Sequence, residues 1–285
     1  MSISSVPTLD VSLNIEVNTE ESCARMVQTV LEILLFQRNQ IPFCYDVLKT
    51  LVRRISSTTN KNDQLSEWST YQFSKQLATV QKAAEAIEIL FQQLTLAVQK
   101  SKPDSQFMIL FGPTIYTAKE AFVINIPEIN TNHYPQYHRH SMETMLKQLA
   151  MKVTVAEELH DKPKVTSPTN TFLLLNLSPI FTELSEEDVE NWQMIDDYSL
   201  PNSCQKYIIN LFNQSTNSKQ LHCCKEMEVF NDQVKDLGIA KQRSQVFNQE
   251  TLGSTSGKTW FQIGNGLKGL KNNLIKGKSI WHPVR

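Results

Sequence analysis

The chain has 285 residues, and 28 Lys and Arg against 29 Asp and Glu leave a formal charge of −1, so no global field draws it to nucleic acid or an anionic membrane. A sequence this long buries a sizeable core, and no apolar run approaches the ~20 residues that a membrane span needs. Only eight glycines argue against several glycine-rich phosphate turns. The five cysteines are odd in number and only Cys223 and Cys224 are close, so a reducing compartment is expected.

In chain order, residues 1–17 alternate through Val11, Leu13, Ile15 and Val17 and read as a short leading strand. Asn18, with Glu21 three places on, offers a capping box. From there Cys23, Met26, Val27, Val30, Leu31, Leu34 and Leu35 form the single apolar stripe of a core helix. Pro42 forbids its continuation past Ile41. Between stripe and stop lies Phe36-Gln37-Arg38-Asn39-Gln40-Ile41, an unusual run of long polar side chains. Tyr45, Leu48, Leu51 and Val52 then resume helical spacing, and residues 55–67 read as a polar loop. Phe73, Leu77, Val80, Ala84, Ile87, Phe91, Leu94 and Val98 give the strongest helix, over 71–99.

Next the period shortens. Residues 107–111 end at Gly112-Pro113 and residues 121–126 end at Pro127, which predicts two neighbouring strands. Met142, Met145, Leu146, Leu149, Val153 and Ala156 mark a helix over 140–158, and residues 172–177 and 205–211 are further strands. Residues 178–197 carry seven acids without a Lys or Arg, and 213–257 are polar and irregular. Residues 257–285 hold six Lys or Arg and no acid, and 259–270 are expected to pair as a strand at the sheet edge with Trp260 packed inward. Helices first, then strands, a helix and strands again predict α+β architecture in one core.

Few motifs suggest catalysis. Gly253-Ser-Thr-Ser-Gly257-Lys258-Thr259 has three residues between its glycines where a phosphate loop needs four. His133, His138 and His140 are spaced to supply metal nitrogens, but a hydrated loop of His and Tyr reads better, with no metal or cofactor expected. Cys223-Cys224 lacks a basic setting beyond Lys225. A metal-dependent enzyme built on the three histidines stands as the rival reading.

Five pieces in colinear order then resemble the Comet family of HORMA-fold adaptors. They are Phe36-Gln-Arg-Asn-Gln-Ile-Pro42 with Tyr45 and Leu48; Ile109-Leu-Phe-Gly112 with Lys119-Glu120 and Phe122; Met145-Leu146-Lys147 with Met151; Trp192 with Tyr198-Ser-Leu-Pro201; and Trp260-Phe-Gln262 with Leu267-Lys-Gly269. The resemblance implies a single HORMA-like α+β domain over 18–271, with three main helices on a mostly antiparallel sheet and a C-terminal safety-belt-like segment. Residues 1–17 precede it, polar insertions lie near 55–67 and 213–257, and 272–285 form a basic tail. It further implies a non-catalytic adaptor, monomeric when free, that binds the closed conformer of the Mad-two HORMA protein. The adaptor presents Mad-two to a Pch-two-type AAA+ ATPase, dismantling the mitotic checkpoint complex in nucleus and cytoplasm and at the spindle and kinetochore. Carried over by position, Gln37, Arg38, Met142, Leu146 and Lys147 fall on the Mad-two face. Trp192, Ile195 and Asp196 fall where the family's Trp-Phe-Arg-Pro-Lys touches the ATPase, but stand here as Trp192-Gln-Met-Ile195-Asp196. HORMA adaptors of autophagy or translesion synthesis would share the fold and differ in partner.

Overall fold

A helix with one apolar stripe must share its core with a neighbouring layer, and here that layer is a seven-stranded sheet. The computed structural model describes residues 6–58, 67–100, 106–129, 133, 138–160, 163–177, 192–214, 259–271, 274–275 and 278–279. In chain order the elements are β1 (Thr8–Leu13), α1 (Glu20–Gln37), α2 (Tyr45–Thr58), α3 (Glu67–Lys100), β2 (Gln106–Gly112), β3 (Glu120–Asn125), α4 (Arg139–Val155) and α5 (Glu157–His160). They are followed by β4 (Asn170–Leu177), β5 (Trp192–Ile195), β6 (Gln205–Asn213), β7 (Thr259–Lys268) and the small hairpin of β8 (Leu274–Ile275) and β9 (Lys278–Ser279).

Strand order across the sheet is β1-β6-β3-β2-β4-β7-β5. Pairing is antiparallel from β3 through β5, while β6 runs parallel to both β1 and β3. The helices repeat this lateral order: α4 lies on β1, α3 lies on β7, and α1 is wedged between α3 and α4. One apolar cluster therefore runs from Val11 to Leu270, with α1 at its centre through Met26, Val27, Val30, Leu31 and Leu34. Period-two alternation sends Phe107, Ile109 and Phe111 of β2 toward the helices and Met108 and Leu110 to the opposite face. There Trp260, Leu174, Val123 and Ile195 complete a second, smaller cluster.

Several expectations hold and others need correction. The four strands appear within two residues of their expected limits, and Trp260 is buried at 5% exposure. The C-terminal strand, however, is not the sheet edge: β5 covers it, so the acidic stretch supplies the edge strand instead. Within the N-terminal stretch, β1 is a full member of the sheet, paired parallel to β6. The cap of α1 is Thr19 rather than Asn18: Ser22 donates its amide to Thr19 Oγ1 at 3.3 Å, and Ser22 Oγ accepts the Thr19 amide at 2.7 Å. Asn18 Nδ2 instead donates to the carbonyls of Pro127 and Glu128. Part of the 55–67 loop is helical, since α2 runs to Thr58 with Ile55 buried, and α3 begins at Glu67. The 140–158 helix breaks at Ala156, whose extended backbone separates α4 from α5. Most of the 213–257 insertion, the acids at 178–191, Cys223, Cys224 and nearly all of the 253–259 loop lie outside the described residues.

In β7 the bulge opposite β4, where three residues face one between Leu173↔Ile263 and Thr171↔Leu267, begins at a left-handed glycine. Gly264 sits at φ +63, and a Cβ there would meet Gln93 Oε1 of α3 at 2.2 Å. The positive φ is what favours glycine here, since Gln93 Oε1 is the end of a flexible side chain that can swing aside.

Candidate partner-binding site

The polar run after the α1 stripe becomes a corner that ties the end of the helix to the connection between α4 and β4. Asn39, at φ 55, adopts the left-handed conformation that stops the helix. Its side-chain nitrogen donates to Thr166 O at 3.3 Å. Gln40 is buried: its Nε2 donates to Arg38 O and Ser167 O, its Oε1 accepts Thr169 N at 2.7 Å, and its carbonyl accepts Leu270 N.

Arg38 is the clearest correction to the expected binding face. It is 1% exposed, and its Nε donates to Glu120 Oε2 at 2.6 Å while Nη2 donates to Leu159 O at 2.7 Å. Its guanidinium carbon lies 5.1 Å from the ring centre of Phe122 and 5.7 Å from that of Tyr207, and these two rings stack at 4.6 Å. Glu120, at the first position of β3, also accepts the backbone amides of Lys164 and Val165. Both partners are paired and hydrogen-bonded, as buried charges must be. Arg38 therefore holds the corner together and offers nothing to a partner.

Gln37 is different, being half-buried at the surface. Its amide nitrogen stands 3.4 Å from Nε2 of His160, which in turn lies 2.9 Å from Thr154 O. The remaining Mad-two-face candidates lie on α4. Leu146 and Met142 are half-buried and packed against the core, and Lys147 is exposed. Leu146 borders a groove with Glu21, Arg25 and Gln28, near the start of α1, whereas Gln37 meets His160 beyond the end of α4. The two helices thus run parallel, and the nine residues from Gln28 to Gln37 separate the two positions by about 13 Å along the axis. They share one helix pair without touching. Elsewhere on these helices Met151 and Val155, one turn apart on α4, are 65% and 68% exposed, and Phe36 of α1 is 43% exposed.

On β5, Trp192 and Ile195 are buried on opposite faces of the sheet, in register with Ile263 and Trp260. Those two candidate ATPase contacts are therefore core residues, a second correction. Asp196 is exposed, as are Gln193 and Met194. The His133 and His138 rings meet edge to face at 5.5 Å, His138 Nδ1 is 4.0 Å from Glu16 Oε2, and His140 is exposed on α4. Among the described residues no three His, Cys, Asp or Glu converge as a metal site. Burial pushes the Cys204 thiol up to about 11, and the buried Cys23 thiol well above its ordinary value.

Sequence reasoning passed over Glu120 as a charged partner and His160 altogether. The signal for Glu120 was present, an acid opening an otherwise apolar strand; a lone histidine after a helix gives no such signal. A family model described as "p31comet: Mad1 and Cdc20-bound-Mad2 binding" matches residues 7–168, more than half of the chain, from β1 through the corner and α4 to the connection before β4. No curated protein matches the chain.

Proposed function

The chain belongs to the p31comet family, and on that premise we propose that it binds Mad2 in its closed, Mad1- or Cdc20-bound form through the exposed side of the α1–α4 pair. The observation that carries the reading is that the matched segment, 7–168, builds both the Gln37 corner and the α4 surface. Phe36, Met151 and Val155 are exposed apolar side chains on the same two helices, and apolar side chains suit an interface core that is depleted of charge. The family match over residues 7–168 also favours this partner over those of autophagy or translesion adaptors.

The finer reading follows the same line. The fold is HORMA-like, with β7 and the segments around it corresponding to the safety belt. The protein is a non-catalytic adaptor, monomeric when free, that hands Mad2 to a Pch-two-type AAA+ ATPase and so silences the spindle checkpoint, acting in nucleus and cytoplasm and at mitotic spindles. Its own contact to the ATPase involves Asp196 and the exposed Gln193 and Met194 of the sheet edge, since Trp192 and Ile195 face inward.

Titration calorimetry against Mad2 loaded with a Cdc20-derived peptide tests the assignment. Gln37→Ala and Leu146→Ala should each weaken binding by roughly 1–2 kcal/mol. Gln37→Ala should leave the Tm nearly unchanged, and Leu146→Ala, half-buried, should lose less stability than a fully buried leucine. Normal affinity in a folded double variant would end the assignment of this face.

A further inference from the structure

The corner that carries Gln37 is not closed by residues 7–168 alone. Strands β4 and β7 end their pairing at Asn170 against Lys268, and one further bond runs from Gly269 N to Thr169 O at 2.8 Å. Past that point the amides of Thr169 and Leu270 have no strand to donate to, and a buried amide without an acceptor costs about as much as a lost hydrogen bond. Gln40 supplies both acceptors. Its side-chain Oε1 takes Thr169 N at 2.7 Å, and its main-chain carbonyl takes Leu270 N at 2.8 Å. Its own amide donates back to Leu35 O of α1 at 2.8 Å. One buried residue, on the same corner as Gln37, thus joins the end of α1 to the ends of two strands.

Gly269 makes this closure tight. A Cβ there would stand 2.5 Å from Gln40 Oε1, 2.8 Å from Thr169 O and 2.9 Å from Pro168 Cβ. Thr169 O is main chain, and Gln40 Oε1 is held by the Thr169 amide, so neither can simply swing aside. Any side chain at 269 must push the C-terminal segment and the corner apart. Leu270, the next residue, is buried in the same apolar cluster as the α1 stripe. Thr169, Gly269 and Leu270 all lie beyond the matched residues 7–168.

Building on the proposed Mad2-binding role, we infer that Gly269-Leu270 is a strap for that interface: seated on Gln40, it positions the corner that presents Gln37 and does not itself touch the partner. Gly269→Ala tests this, with Gly266→Ala as the control. A Cβ at Gly266 would meet the Phe172 ring at 2.4 Å, on the sheet face away from the helices. In calorimetry against Cdc20-peptide-loaded Mad2, below the unfolding transition of each variant, Gly269→Ala should weaken binding by roughly threefold to tenfold, the range for one lost hydrogen bond. Gly266→Ala should bind as the wild type does. In the Gln37→Ala background, Gly269→Ala should cause little further loss, because there is no amide left to position. The coupling is reciprocal, so saturating the wild-type protein with Mad2 should slow amide exchange in the peptide that contains Leu270, a readout that needs no variant to fold. Unchanged affinity in Gly269→Ala, equal losses in the two glycine variants, losses that multiply with Gln37→Ala, or exchange at Leu270 indifferent to Mad2 would each overturn the inference. If the wild-type protein retains no Mad2 at all, the functional reading falls and takes the inference with it. If the wild type binds and only the Gly269 and Leu270 pattern fails, the inference falls alone.

Discussion

Breaking the buried Arg38–Glu120 pair should be among the most destabilising single changes in the molecule, and the two ways of breaking it should not be equal. Both side chains are essentially inaccessible, at 1% and 0% exposure. Removing one member of such a pair costs about 3–5 kcal/mol, because the other charge is left in a medium of low dielectric. Glu120→Gln strands a guanidinium that cannot lose its proton, and turns one former acceptor toward it as a donor. Keeping the glutamine oxygen on the Lys164 and Val165 amides is what forces that donor toward Arg38. Arg38→Met leaves a carboxyl that can neutralise itself by binding a proton and still accept those two amides. Glu120→Gln should therefore reach the upper end of the range and Arg38→Met the lower end. At about 2–4 °C per kcal/mol for a domain of this size, the worse variant should lose on the order of 10–20 °C in Tm. The double variant Arg38→Met/Glu120→Gln, in which a glutamine oxygen still serves the amides and no charge is stranded, should recover much of the loss. Urea unfolding of the four proteins, compared at constant m, reads all of this. A Glu120→Gln cost below about 1 kcal/mol, or strictly additive losses in the double variant, would refute the reasoning.

Two further outcomes follow from burial. Trp260→Ala, which empties the centre of the cluster on the face away from the helices, should cost about 3–5 kcal/mol in urea unfolding, and a cost under about 1 kcal/mol would mean that Trp260 does not anchor β7. Among the three described cysteines, iodoacetamide at pH 8 should modify the exposed Cys44 first in peptide-resolved mass spectrometry; Cys204, with its thiol pushed up to about 11, should hold only about one thiolate in a thousand, and the buried Cys23 should react only on unfolding.

The main helices and six of the strands were legible because burial on one side imposes a period, and a period survives in the sequence. The stripe from Cys23 to Leu35 could only be a helix against a core, and the apolar blocks before Gly112-Pro113 and Pro127 could only be short strands. What failed to show was set by tertiary pairing. Four residues of β5 carry no alternation, because Trp192 and Ile195 enter different clusters on opposite faces. The cap shifted from Asn18 to Thr19 because Asn18 is engaged by carbonyls 109 and 110 residues away, a contact that no local rule contains. At the site, Leu146 and Gln37 were picked out by resemblance. Arg38 was misplaced for a physical reason: a buried arginine and an exposed one look alike in a sequence until the partner carboxylate, 82 residues on, is found.

That misplacement bears on what the signature run encodes. Of its four consecutive polar residues, Arg38 and Gln40 point inward and tie down the segment from Leu159 to Thr169, and Asn39 reverses the chain. Three of the four thus serve the corner, and their loss would be felt first as lost stability. Gln37 alone is set off from this work by its place on the last helical turn, where its hydrogen-bonding neighbour is an exposed histidine. A substitution series along 37–40 should accordingly divide: unfolding free energy falls at positions 38 and 40, and partner affinity falls at 37 with little change in stability. On the proposed reading, the hydrogen bonds of Arg38 and Gln40 fix the corner at which Gln37 meets the partner.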